Sequence, residues 1–216
     1  MLKMSAMTHD STFSRLCTRP DSDLRLELGV GGPCISRGAP VIGKQKKLYE
    51  GKVIDLTLEQ VTLPNGVPAE LEIVHHPGGA AVVAIDAENK ICLLRQYRHA
   101  AGGWIWELPA GKLDPGEAPL ATAQRELEEE AGLCAQRWES LGKIISSPGV
   151  FTEVVHLFLA WGLTQGVKNN EPHELIEIHW LPFAEALARA HAGEIADAKT
   201  LVGLFRAQKI MEGKAP

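Results

Sequence analysis

The chain has 216 residues, 45% hydrophobic and 23% charged, with a formal net charge of −5. That length suits one domain of ordinary size with at most a small addition, and the hydrophobic share is enough to bury a core. The acidic balance gives no footprint for nucleic acid, no apolar run approaches the ~18 residues that span a bilayer, and the N-terminus lacks the apolar stretch of a secretory signal.

Residues 1–46 carry Gly/Pro-rich stretches and no sustained periodicity, so a flexible N-terminal extension is expected there. Order is expected from Lys47. Val53–Leu58 and Ala69–Val74 read as strands joined across the turn signal Leu63-Pro64-Asn65-Gly66. Ala80–Ile85 and Ile91–Tyr97 flank a hairpin loop at residues 86–90, and Trp104–Leu108 forms a further strand. After a helix described below, Leu141–Ser146, Val154–Trp161 and Leu175–Leu181 read as strands. Phe183–His191 and Ala198–Met211 read as helices, the second with Asp197 as N-cap. Strands interrupted by a few helices predict an α/β (α+β) fold, a mixed sheet covered on both sides. The four cysteines, Cys17, Cys34, Cys92 and Cys134, form no Cys-x-x-Cys pair, so reduced thiols in a cytoplasmic protein are expected.

The most specific signal lies between Gly111 and Leu133. Gly111 is followed after five residues by Glu117, and after seven more by Arg125-Glu126-Leu127-Glu128-Glu129-Glu130-Ala131-Gly132-Leu133. With each residue type at roughly 5–9% usage, seven fixed identities recur by chance in on the order of one in a million chains this long. A helix is expected to start near Pro119, tolerated in a first turn, and to end at Gly132, which enters the left-handed region without strain. Leu120, Ala123, Leu127 and Ala131 form one stripe, suited to packing on a sheet. Glu126, Glu129 and Glu130 form another, about 110° around the axis. Carboxylates spaced i, i+3, i+4 repel one another. Arg125 reaches Glu129 at i+4, but one arginine cannot neutralise three glutamates. Hard oxygen donors in this pattern point to Mg²⁺, with Mn²⁺ as the alternative, sharing a substrate phosphate. Glu128 is left to solvent.

Around this helix, Arg95 or Arg98 is suited to hold a diphosphate through a guanidinium fork. The Ala110 carbonyl, at the bend from Glu107 into Gly111, is a candidate to complete a metal shell. The Pro148-Gly149 turn precedes Glu153, a carboxylate that a loop could carry over the metals. His75 and His76 face opposite sides of a strand, with no third ligand at useful spacing, and read as structural. One of Trp104 and Trp106 is expected in the core; the other is free to stack on a base.

The glycine-led loop and helix satisfy every position of the Nudix signature. Over roughly residues 47–205 the chain resembles the ADP-ribose pyrophosphatase branch of the Nudix hydrolases. Arg95-Gln96-Tyr97-Arg98, Glu107-Leu108-Pro109-Ala110-Gly111 and Ser147-Pro148-Gly149 carry the likeness beyond the signature. The resemblance implies an α/β/α sandwich at residues 78–210, preceded by a small antiparallel β subdomain at residues 47–77 that dimerises. It implies Mg²⁺-dependent hydrolysis of the diphosphate of ADP-ribose to AMP and ribose 5-phosphate. Metal would be held by Ala110, Glu126, Glu129 and Glu130, and substrate contacted by Arg98, Glu107 and Gly111. Glu153 would assist the attacking water, with Glu129 and Arg125 completing the catalytic set. Other nucleoside diphosphate sugars (GDP-mannose, ADP-glucose) and a non-catalytic ADP-ribose sensor are the alternative readings. Neither a nucleic-acid partner nor a membrane is expected.

Overall fold

A computed structural model describes residues 41–169 and 174–213. The first unit is an antiparallel sheet of three strands, β1 (Val41–Glu50), β2 (Asp55–Thr62) and β3 (Pro68–His75), in that spatial order. Its β2–β3 turn closes as the sequence predicts, with Gly66 N–H donating to the Leu63 carbonyl at 2.8 Å. Strand structure begins at Val41, six residues before the expected onset at Lys47, because pairing with β2 supplies order that local periodicity does not announce. Residues 1–40 of the expected extension lie outside the described residues.

The main body is built around β4 (Gly79–Ala84), whose six residues are all buried. It pairs antiparallel with β7 (Ala110–Lys112) and parallel with β9 (Val154–Gln165), which in turn pairs antiparallel with β8 (Leu133–Ile145). A second sheet packs alongside, with β5 (Lys90–Arg98) between β10 (Ile176–Pro182) and β6 (Gly103–Glu107). In the β4–β5 hairpin, Asp86 Oδ1 accepts from the N–H groups of Glu88 and Lys90, at 2.9 and 2.8 Å.

Alternation along β4 feeds two cores. Ala80, Val82 and Ala84 pack with Ala123, Leu127 and Ala131 of α1 (Pro119–Ala131). Ala81, Val83 and Ile85 pack with Phe183 and Ala186 of α2 (Phe183–His191) and with Leu204 and Ala207 of α3 (Ala198–Glu212). Buried aliphatic area at about 25 cal/mol per Å² drives both contacts. The result is the expected helix–sheet–helix sandwich with a mixed sheet.

Three local expectations are corrected. Leu120 is exposed, and Thr122 takes the buried place, its hydroxyl donating to Glu117 Oε2 at 2.8 Å. Strand β8 starts at Leu133, eight residues before the expected Leu141, since its polar first half is held by backbone pairing to β9. Glu128 is half-buried, and its Oε1 accepts from Val167 N–H at 3.2 Å.

Candidate active site

A cleft of about 860 Å³ opens where β7, α1, the ends of β5 and β6, the loop at residues 146–153 and the start of α3 meet. All nine residues singled out for the site line it: Arg98, Glu107, Ala110, Gly111, Arg125, Glu126, Glu129, Glu130 and Glu153.

Helix α1 delivers the carboxylates. Pro119 stands in its first turn, and Gly132, at φ 67°, ends it by donating to the Glu128 carbonyl at 2.8 Å. Glu126 lies against Gly111 so closely that a Cβ on residue 111 would overlap its carboxylate. That contact explains the glycine. Glu130 is buried, and its Oε2 accepts from Ala110 N–H at 2.8 Å. Burial pushes the Glu130 carboxyl up to about 8; the Ala110 bond opposes this, and the charges of Glu126 and Glu174 add to it. Burial also raises Glu126, against the attraction of Arg125.

Arg125 is the local counter-charge. Its guanidinium meets Glu126 at 2.7 Å, Glu129 at 3.0 Å, Glu117 at 3.1 Å and the Lys112 carbonyl at 3.0 Å. The bonds from Arg125 hold Glu117 down at about 2. This clamp ties the glycine loop to the helix, a wider role than the single contact with Glu129 that the spacing predicts.

Among the described residues, no three His, Cys, Asp or Glu side chains converge to cage an ion unaided. The donor set still fits a hard divalent ion. Glu126, Glu129 and Glu130 share one wall with a single arginine, and Glu130 is buried where a bare negative charge is costly. Ions of this class keep waters and borrow substrate oxygens, so an incomplete protein shell suits them.

The cleft also holds two cations, Arg98 and Lys199, each paired with a carboxylate. Arg98 grips the buried Glu107 through Nε, at 3.2 and 3.1 Å to its two oxygens, and through Nη2 at 2.7 Å, so Nη1 is the end of the guanidinium not used on Glu107. Lys199 Nζ stands 3.3 Å from Glu107 and 3.0 Å from Asp197. Asp197 caps α3 as predicted, its Oδ2 accepting from Thr200 N–H at 3.0 Å and from Thr200 Oγ1 at 2.6 Å. Thr200 Oγ1 in turn accepts from Leu108 N–H at 2.9 Å. The start of α3 is thus bonded to the strand end that carries Glu107.

Several cleft residues escaped the sequence reading. Lys199 is one. Glu174 lines the cleft, and its charge is felt at both Glu126 and Glu130. His76, expected to be structural, also lines it and faces Glu153 at 3.5 Å. His75 does point away, its Nε2 meeting Glu59 at 3.0 Å and Thr57 at 2.9 Å. Trp106 is half-buried between the guanidinium groups of Arg95 and Arg189, at 5.1 and 5.4 Å from its centre, while Trp104 is exposed beside Tyr97. Arg95 is therefore spent on Trp106, and Arg98 is the arginine that reaches the cleft.

The NUDIX domain family matches residues 75–201. Over 158 residues the chain is 41% identical to an ADP-ribose pyrophosphatase of Bacillus subtilis (strain 168), covering 72% of this chain and 85% of that one. It is 42% identical over 166 residues to a methanol dehydrogenase activator of Bacillus methanolicus, covering 74% of this chain and 88% of the relative. Among solved structures, an ADP compounds hydrolase superposes with a TM-score of 0.72 at 21% identity, over 83% of this chain and 98% of that chain, a likeness of fold.

Proposed function

Because this chain belongs to the Nudix hydrolase family, we propose that it hydrolyses the diphosphate of ADP-ribose to AMP and ribose 5-phosphate with Mg²⁺ as cofactor. The observation that carries this reading is convergence in one cleft of the carboxylates of Glu126, Glu129 and Glu130 with the guanidinium of Arg98. The 41% identity to an ADP-ribose pyrophosphatase supports the substrate choice.

Glu126, Glu129 and Glu130, with the Ala110 carbonyl, would hold the metal, which when bound polarises phosphoryl oxygens and acidifies water. Arg98 offers Nη1 to a phosphate oxygen, while Glu107 and Lys199 fix its plane. Arg125 keeps Glu126 and Glu129 at their spacing and does not touch substrate. Gly111 lets backbone and ligand approach Glu126. As water attacks phosphorus and the bridging P–O bond breaks, a carboxylate must take the water's proton. The loop carboxylates that line the cleft include Glu153 and Glu174. Glu153 already faces His76 at 3.5 Å, so the proton acceptor is assigned to Glu174. Glu153 is assigned to the substrate's hydroxyl groups.

Phosphate release by alkaline phosphatase, measured with ADP-ribose, ADP-glucose and GDP-mannose in Mg²⁺, tests the reading. ADP-ribose is expected to give the highest kcat/KM. Preference for GDP-mannose would move the substrate, and inactivity toward all three would remove the proposal.

The same reading places the protein in the cytoplasm as a homodimer formed through the β1–β3 sheet. Leu48 and Tyr49 are exposed on the edge strand β1, apolar side chains that a second copy would cover.

A further inference from the structure

The loop that carries Glu153 is not free-standing. Val74 N–H donates to the Val150 carbonyl at 2.7 Å, and Thr152 N–H donates to the Val74 carbonyl at 3.0 Å, so the loop lies as an added strand on the end of β3. One residue on, His76 N–H donates to Thr152 Oγ1 at 3.0 Å. The His76 imidazole, almost fully buried, packs on the Phe151 ring at 5.3 Å, and its Nδ1 accepts from Gly78 N–H at 3.0 Å. A nitrogen that accepts cannot also carry the proton, so Nε2 holds it. Nδ1 therefore offers the Glu153 carboxylate, 3.5 Å away, a boundary and no proton. Glu153 must therefore take its donors from elsewhere in the cleft it lines.

We infer that His76 is a positioning residue for Glu153: its ring, fixed by Gly78 and tilted against Phe151, sets the loop at residues 147–153 and the direction of its carboxylate. The inference rests on the substrate-binding role proposed above for Glu153. It also makes the joint between the N-terminal sheet and the central sheet part of the catalytic apparatus, because His76 lies between β3 and β4. Packing alone would require only a ring at position 76. Positioning requires the acceptor nitrogen as well.

The variants His76→Phe and His76→Asn separate these two demands. Phenylalanine keeps a ring against Phe151 and loses the acceptor, whereas the Asn side-chain oxygen can still receive Gly78 N–H. H76F is expected to lose about 10²-fold in kcat/KM toward ADP-ribose, the scale of an ångström-level misplacement, and to lose it mainly in KM. H76N recovers most of that loss. The double variant H76F/E153Q is expected to be no worse than E153Q alone, since both act through one carboxylate. An H76F enzyme with wild-type KM, or losses that multiply in the double variant, would overturn the inference. Amide hydrogen exchange gives a readout independent of turnover. Faster exchange at Thr152 in H76F, with α1 unchanged, supports the role even if the substrate reading fails; unchanged exchange at Thr152 overturns it. Should H76F not fold, Thr152→Ala removes a different bond that holds the loop to residue 76, from His76 N–H to Thr152 Oγ1, and is expected to raise KM; a wild-type KM there overturns the inference equally.

Discussion

Replacing Glu130 by glutamine is expected to stabilise the metal-free protein while destroying activity. Glu130 is buried, and its carboxyl is raised from 4.5 to about 8. A group whose folded pKa lies above its unfolded value adds stability that is full at low pH and is lost as pH rises through the folded value. The window here runs from about 4.5 to 8. At ~1.36 kcal/mol per unit, the ceiling on the loss is about 5 kcal/mol. Relaxation and water entry reduce such penalties, so about 2–3 kcal/mol is the working figure. Glutamine keeps an oxygen for Ala110 N–H and removes a like charge beside Glu126. For a domain of this size each kcal/mol moves Tm by roughly 2–4 °C, so E130Q in EDTA at pH 8.5 is expected to melt roughly 4–12 °C above wild type. Magnesium reverses the order. It stabilises whatever binds it by RT ln(1 + [L]/Kd), and a variant short of one carboxylate gains less. Thermal melts from pH 5 to 9, with EDTA and with Mg²⁺, measure both effects. An E130Q protein that melts below wild type in EDTA at pH 8.5, or that gains as much from Mg²⁺, would refute the argument.

The two loop carboxylates are expected to part company kinetically. Glu174→Gln lowers kcat by about 10²–10⁴-fold with KM little changed, as loss of a general base does, whereas Glu153→Gln raises KM. Steady-state kinetics on ADP-ribose read both, and a kcat collapse confined to E153Q would return the proton acceptor to that residue. For the β1–β3 sheet, the double change Leu48→Ser, Tyr49→Ser is expected to convert a dimer to a monomer by light scattering. A monomeric parent would remove the interface.

Much of this site was legible because its chemistry is local in sequence. Glu126, Glu129 and Glu130 share a helix stripe, so spacing alone brings them together, and Gly111 and Gly132 mark a close approach and a helix end. What escaped was assembled by tertiary contact. Glu174 follows β9 and reaches the carboxylate wall only because the chain returns past α1. His76 was dismissed because adjacent strand residues face opposite sides. That geometry holds, and it is what sends His75 to Glu59 and His76 to the cleft. The fold was read well where an apolar run was continuous, as in β4, and poorly where backbone pairing alone orders polar chain, as in β1 and the first half of β8. The choice between Arg95 and Arg98 turned on Trp106, the cross-strand partner of Arg95 in the β5–β6 pairing.

The relay from Leu108 through Thr200 to Asp197 has a bearing on how this protein fails when heated. The first turn of a helix is where thermal fraying begins, and here that turn also secures the strand end beneath Glu107 and, through Glu107, the plane of Arg98. Loosening at residues 197–200 would blunt the phosphate grip well before the two cores give way. Loss of catalysis is therefore expected to precede loss of the fold, and the joint to reinforce in a more durable version lies at the start of the last helix.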